Sequence, residues 1–141
     1  MIVLDTNVLS ELARSQPAPA VQAWADRMPL ARLCTTAITE AELRFGLALL
    51  PAGRRRTELA HAVERIFTHI VGGRVLPFDR AAAQSYAGLA AQRRQTGRSV
   101  DTADLQIAAI ALARKLEAIV TRNGWHFQDC GVSIIDPWQA T

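Results

Sequence analysis

Three carboxylates stand out by position, because Asp5 ends a strand-like run while Glu42 and Asp104 lie in the first turns of helical segments that follow extended ones. Met1-Ile2-Val3-Leu4 is a short apolar run with β-branched members, and Asp5-Thr6-Asn7 favours a turn or helix start, so the run reads as a buried strand ending in a polar corner. In an open parallel sheet ligands bind outside the carboxyl ends of the strands, which puts Asp5 where chemistry is done. Glu42 follows Ile38 by four positions and precedes Phe45 by three, and Asp104 lies one turn before Ile107 and Ala108. Both border an apolar stripe and can face a shared cleft. Each acid also reads as part of a helix start. Asp5, Thr6 or Asn7 can cap the helix that follows, Thr39-Glu40-Ala41-Glu42 fits a capping box, and Asp101 can cap a helix whose dipole Asp104 complements. Types and spacing leave both readings open.

Convergence would have a clear meaning. Three carboxylates about 5 Å apart repel by about 3 kcal/mol per pair at an effective dielectric near 20. Caps worth about 1 kcal/mol do not justify that arrangement, whereas a bound divalent cation does. A donor set of carboxylate oxygens, without Cys or His ligands, suits Mg²⁺ or Mn²⁺ rather than zinc, and such ions usually meet a substrate phosphate.

The elements that must position these acids follow from periodicity. After the first strand, Val8 to Ala13 is a short helix broken by Pro17-Ala18-Pro19, and Ala20 to Asp26 is a second. Leu33-Cys34-Thr35 is a strand. Thr36 to Leu50 is a helix with Ile38, Ala41, Phe45, Ala48 and Leu49 on its apolar face, ended by Pro51 and Gly53. Arg54 to about Ile70 is one helix with the stripe Leu59, Ala62, Val63, Ile66 and Phe67, closed by Gly72-Gly73. Val75-Leu76-Pro77 is a brief strand, and Asp79 caps a long helix to about Thr96 that ends at Gly97. Asp101 opens the next helix, with Ile107, Ala108, Ala111 and Leu112 inward, followed by a strand at Ala118 to Thr121, a turn at Asn123-Gly124 and a last strand at Val132 to Ile135. Strands alternating with helices predict right-handed βαβ units and a mainly parallel sheet covered on both faces.

The chain has 141 residues, half of them hydrophobic, which predicts one domain over 1–141 with a sizeable core. Its formal charge of +3 makes an anionic partner plausible. Cys34 and Cys130 lack metal-type spacing, and Cys34 lies in a strand-like run where a buried thiol is usual, so a reducing compartment is expected. With no basic leader ahead of an apolar segment and no apolar run of about 20 residues, we expect a cytoplasmic protein with no membrane partner.

Four pieces, Leu4-Asp5-Thr6-Asn7, Ala41-Glu42-Leu43-Arg44-Phe45-Gly46, Ala103-Asp104-Leu105-Gln106-Ile107-Ala108-Ala109 and Val120-Thr121-Arg122-Asn123, span nearly the whole chain in a fixed order. This ordered set resembles the PIN-domain family, most closely its VapC-type ribonuclease toxins, including the FitB-like branch. The resemblance implies an α/β/α sandwich with a mainly parallel sheet, a homodimer, neutralisation by a cognate VapB-like antitoxin, and an endoribonuclease dependent on Mg²⁺ or Mn²⁺. It also implies that Asp5, Glu42 and Asp104 bind metal, with Asn123 joining the catalytic set. Many relatives carry an acid just before the Phe that follows the Thr-Arg-Asn piece. Here His126 precedes Phe127, so the acid that would serve a second metal site in those relatives is replaced by an imidazole. The implied reaction is hydrolysis of an RNA phosphodiester by metal-activated water, leaving a 5′-phosphate and a 3′-hydroxyl.

Thr6, Asn7 and Thr121 carry short polar groups suited to orienting ligands around an ion. Arg54, Arg55, Arg94 and Arg98 are candidates for RNA or antitoxin contacts, and so is Arg44 beside Glu42. His61 and His69 read as surface residues, and Trp24, Trp125 and Trp138 as core, dimer or base-stacking indoles. A catalytically inactive PIN-like module that binds RNA or an antitoxin is the main alternative, and a DNA or flap nuclease a lesser one. A haloacid-dehalogenase-like phosphatase is disfavoured, since Asn7 stands where its second Asp belongs. Neither G-x-x-x-x-G-K-[ST] nor G-x-G-x-x-G occurs.

Overall fold

The computed structural model describes residues 1–139. Five strands, β1 (Ile2–Leu4), β2 (Leu33–Thr36), β3 (Val75–Leu76), β4 (Ala118–Val120) and β5 (Ser133–Ile135), pair in parallel in the order β3-β2-β1-β4-β5. Side chains alternate across a strand, and here the alternation divides the core. Ile2, Leu4, Leu33, Ala118 and Val120 enter one apolar cluster, while Val3, Cys34 and Ile119 enter the other. Helices α1 (Thr6–Leu12), α2 (Pro19–Arg27) and α4 (Arg54–Arg65) cover the first face, and α5 (Arg80–Gln95) and α6 (Thr102–Ala113) the second. The α/β/α sandwich predicted from the sequence is the fold found.

Chain order explains where a site can form. The sheet grows outward from β1 through β2 to β3, and the crossover through α5 and α6 then returns the chain to the other side of β1. That reversal opens a crevice beyond the carboxyl ends of β1 and β4. Val3 lies opposite Ile119 in the ladder, the Asp5 N–H donates to the Val120 carbonyl at 3.0 Å, and the Thr121 N–H donates to that of Ile135 at 2.9 Å. Asp5 and Thr121 therefore leave adjacent strands side by side.

The predicted caps at Asp79 and Asp101 are present. Asp79 accepts the Ala82 N–H at 3.0 Å, and Asp101 accepts those of Ala103 at 2.8 Å and Asp104 at 3.4 Å. Gly97 takes φ +71° just past α5, a left-handed conformation that costs glycine little.

Three expectations are corrected. The capping box at Thr39 to Glu42 does not form. Helix α3 (Ala37–Leu49) starts where its periodicity placed it and is capped by buried Thr36, whose hydroxyl accepts the Thr39 N–H at 3.1 Å, so Glu42 lies a turn inside the helix. The inward face of α3 also differs from the expected one. Leu43 and Leu47 pack inward with Ile38, and Thr39 is fully buried, whereas Ala41, Phe45, Ala48 and Leu49 face outward. Both sides of this helix are apolar, so periodicity had two solutions, and the Thr36 cap with Thr39 beneath it fixes the rotation. Finally, Arg54 to Ile70 is not one uniform helix. It widens after Arg65 into a π turn over Ile66–Ile70, where the Val71 N–H bonds the Ile66 carbonyl at 3.1 Å, while Ala62, Val63, Ile66 and Phe67 stay buried as expected.

Candidate metal centre

Asp5, Glu42 and Asp104 line one open cleft of about 1400 Å³ at the switch point, together with Thr6, Asn7 and Asn123. Each side chain is held differently. Asp5 is 3% exposed, caps α1 by accepting the Thr6 N–H at 2.7 Å, and accepts from the buried Thr121 hydroxyl at 2.8 Å and the Asn7 amide at 3.3 Å. The two readings of Asp5 thus coexist, because one oxygen caps while the carboxylate as a whole lines the cleft. Asn7 is fixed in turn by the Arg122 N–H on its Oδ1 at 3.2 Å, and Thr121 Oγ1 also accepts the Asn123 N–H at 3.1 Å. Glu42 reaches across from α3, and its carboxylate accepts the Thr6 hydroxyl at 2.6 Å. Asp104 projects from the first turn of α6 and bonds His126 Nδ1, which sits on a 3₁₀ turn over Gly124–Phe127.

The electrostatics record the convergence. Asp5 is pushed up from 3.8 to about 6, chiefly because burial removes water from its charge, with the negative charges of Asp104 and Glu42 adding to the effect. Hydrogen bonds from Thr121 and Thr6 oppose the shift without cancelling it. Among the described residues no three His, Cys, Asp or Glu groups stand at ligating distance from a common point as they lie. The side chains are held instead by Thr6, Thr121 and His126. A buried carboxylate with two like charges near it, lining an open cleft, fits a hard divalent ion that needs oxygen donors.

The basic candidates divide. Arg55 lines the cleft, as do Arg122 and His69, two residues not proposed from sequence. Arg122 lies 4.8 Å from the Trp138 ring centre in a cation–π contact at the rim. It stands inside the Thr121-Arg122-Asn123 piece, which was the available signal, whereas nothing near His69 pointed to the cleft. Arg44 is committed to Glu40 at 2.7 Å and Glu64 at 2.9 Å, and Arg54 to Glu58 at 2.9 Å, so neither reaches the cleft. Arg94 and Arg98 line a separate, smaller pocket beside the start of α6. Arg98 and the buried Arg93 hold the loop that carries His126. Arg98 donates to the Trp125 carbonyl at 3.0 Å, and both donate to that of Gln128. Trp24 is core, while Trp125 is exposed beside His126.

Comparison with known proteins agrees with this geometry. A PIN-domain family model matches residues 2–129. The chain is 48% identical to the VapC ribonuclease Y4jK of Sinorhizobium fredii over 139 residues, covering 99% of each, and 39% identical to Toxin FitB of Neisseria gonorrhoeae over 138 residues, covering 98% of the chain and 99% of that protein. Among solved structures, FitAcB of N. gonorrhoeae superposes with a TM-score of 0.89 at 38% identity, covering 99% of this chain and 100% of that one. FitAB bound to an IR36 DNA fragment gives 0.90 at 37% identity, with 100% and 98% covered. With these relatives matched end to end, and with the strand order and the acidic cleft in place, the chain belongs to the PIN-domain family.

Proposed function

We propose that the chain is the toxin of a type II toxin-antitoxin pair, an endoribonuclease that hydrolyses RNA phosphodiesters with a divalent cation, Mg²⁺ or Mn²⁺, held by Asp5, Asp104 and Glu42. The observation that carries this reading is the meeting of three carboxylates from distant parts of the chain in one cleft, two of them raising the proton affinity of the third. When bound, the cation supplies positive charge against the phosphate and activates the attacking water. The protein's own groups do the rest. Thr121 and Asn7 fix the Asp5 carboxylate, and Thr6 aims Glu42. Asn123 presents an uncharged amide to the same cleft, and Arg55 and Arg122 supply cationic contacts for the RNA backbone.

The partner is a cognate antitoxin, by likeness to VapC and FitB toxins and to the solved FitAB complex. Two buried free cysteines support a cytoplasmic setting, and no helix among the described residues is long and apolar enough to cross a membrane. A homodimer is supported by the outward apolar stripe of α3, where Phe45 is 64% and Leu49 69% exposed.

The test uses purified chain freed of antitoxin. It cuts RNA in preference to DNA with Mg²⁺ or Mn²⁺ and stops in EDTA. Asp104→Asn lowers cleavage by roughly 100-fold or more while circular dichroism and melting stay those of a folded protein. One observation favours an inactive binding module, namely that His126 occupies an oxygen of Asp104. RNA binding without any metal-dependent cutting establishes that alternative.

A further inference from the structure

We infer that His126 is a direct nitrogen ligand of the metal centre, making it a mixed oxygen–nitrogen site that favours Mn²⁺ and later divalent ions over Mg²⁺. The inference rests on the metal-centre reading given above. Its starting point is the contact between His126 Nδ1 and Asp104 Oδ2, two donor atoms already touching on the wall of the acidic cleft. Ligands at about 2.1 Å in neighbouring positions around an octahedral ion are themselves about 3 Å apart. The two atoms thus start close enough to share one ion once it displaces the hydrogen bond, with Asp5 and Glu42 on the walls of the same cleft brought in from their present hydrogen bonds to complete the set.

The imidazole is placed as a built ligand is placed. Its side chain is 20% exposed and that of Asp104 18%, so neither swings free in solvent. Trp125 stands edge-on to the ring, with centroids 3.8 Å apart and planes at 86°. The turn beneath is fixed by the His126 N–H on the Asn123 carbonyl at 2.9 Å and by Arg98 on the Trp125 carbonyl at 3.0 Å. Arg93, buried in α5, adds its guanidinium to the Gln128 carbonyl. Arg93 thus ties α5 to the end of this loop through one carbonyl, while its buried Nε has no partner among the described residues. Imidazole nitrogen is a softer donor than carboxylate oxygen. It adds little to the binding of Mg²⁺ and more to that of Mn²⁺, Co²⁺ or Zn²⁺.

The experiment titrates Mn²⁺ alone into the full wild-type chain and reads pulsed electron paramagnetic resonance, with histidine labelled by ¹⁵N to identify its nitrogen. The expected result is a directly bound histidine nitrogen that persists in His69→Gln and disappears in His126→Asp. Calorimetry of the same proteins should show the Mn²⁺ over Mg²⁺ affinity ratio falling about tenfold in His126→Asp. Bound Mn²⁺ with no histidine coupling in the wild type overturns the inference and leaves the metal centre standing, and this arm needs no variant to fold. Loss of the coupling in His69→Gln overturns it too, by assigning the nitrogen to the other histidine of the cleft. If Mn²⁺ does not bind at all, the metal-centre reading falls and the inference with it.

Discussion

Asp5 shows how one side chain can serve folding and chemistry at mutual expense. It caps α1 and accepts three hydrogen bonds, yet burial and two neighbouring acids push its proton affinity up to about 6. The folded chain thus holds this proton more tightly than an unfolded chain does, at 3.8. Its contribution to stability is whole below about pH 4 and is lost as the pH rises through about 6, where the carboxylate must ionise in place. In EDTA, wild type should accordingly lose stability relative to Asp5→Asn across that window, and at pH 7.5 the variant should be the more stable by roughly 1–3 kcal/mol. Urea titrations of both proteins at pH 4, 5, 6 and 7.5 measure the difference. Parallel curves mean that Asp5 bears no such load. Saturating Mn²⁺ should reverse the order, since the wild type alone then gains the full binding energy of the ion.

At the scale of elements, α3 is where local signals and the fold part company. The strands were legible because short β-branched runs such as Ile2-Val3-Leu4 and Ile119-Val120 are buried on both faces, and the caps at Asp79 and Asp101 because a short polar side chain before a helix has few other uses. Helix α3 offered Leu43 and Leu47 on one side and Phe45 and Leu49 on the other, and no pattern in the sequence says which side meets the sheet. The convergence of Asp5, Glu42 and Asp104 was beyond spacing for a related reason. It depends on the crossover that brings β4 beside β1, a property of strand order that only the family resemblance could supply. The His126–Asp104 contact was illegible because it hangs on a 3₁₀ turn pinned by buried Arg93, whose burial nothing local announces. What settles α3 is Thr36, so Thr36→Ala should cost roughly 1–2 kcal/mol by leaving the Thr39 N–H without its acceptor at a buried helix start. A lower urea midpoint at unchanged slope is the expected reading, and stability equal to wild type would move control of the helix elsewhere.

At the scale of the whole molecule, the side of α3 turned away from the sheet has no cover among the described residues. Ala41, Phe45, Ala48 and Leu49 follow one another at intervals of four, three and one, which places them on a single outward stripe. Phe45 and Leu49 are among the few exposed large hydrophobic side chains described, and one turn separates them. Two long apolar side chains in water at that spacing are ill suited to a soluble monomer, whereas a second copy can bury the stripe against its own equivalent about a two-fold axis. Asp5 and Asp104 are held from β1 and α6, and Glu42, which borders the stripe three residues before Phe45, is tied to the Thr6 hydroxyl at 2.6 Å, so removing the apolar groups without adding charge should leave the acidic cleft assembled. The double substitution of Phe45→Gln with Leu49→Gln should therefore convert a dimer into a folded monomer that still binds Mn²⁺. Sedimentation at micromolar concentration reads the mass, and circular dichroism with the Mn²⁺ titration reads the fold and the site. A wild-type chain that sediments as a monomer, or a double variant that remains dimeric, would remove α3 from the dimer contact.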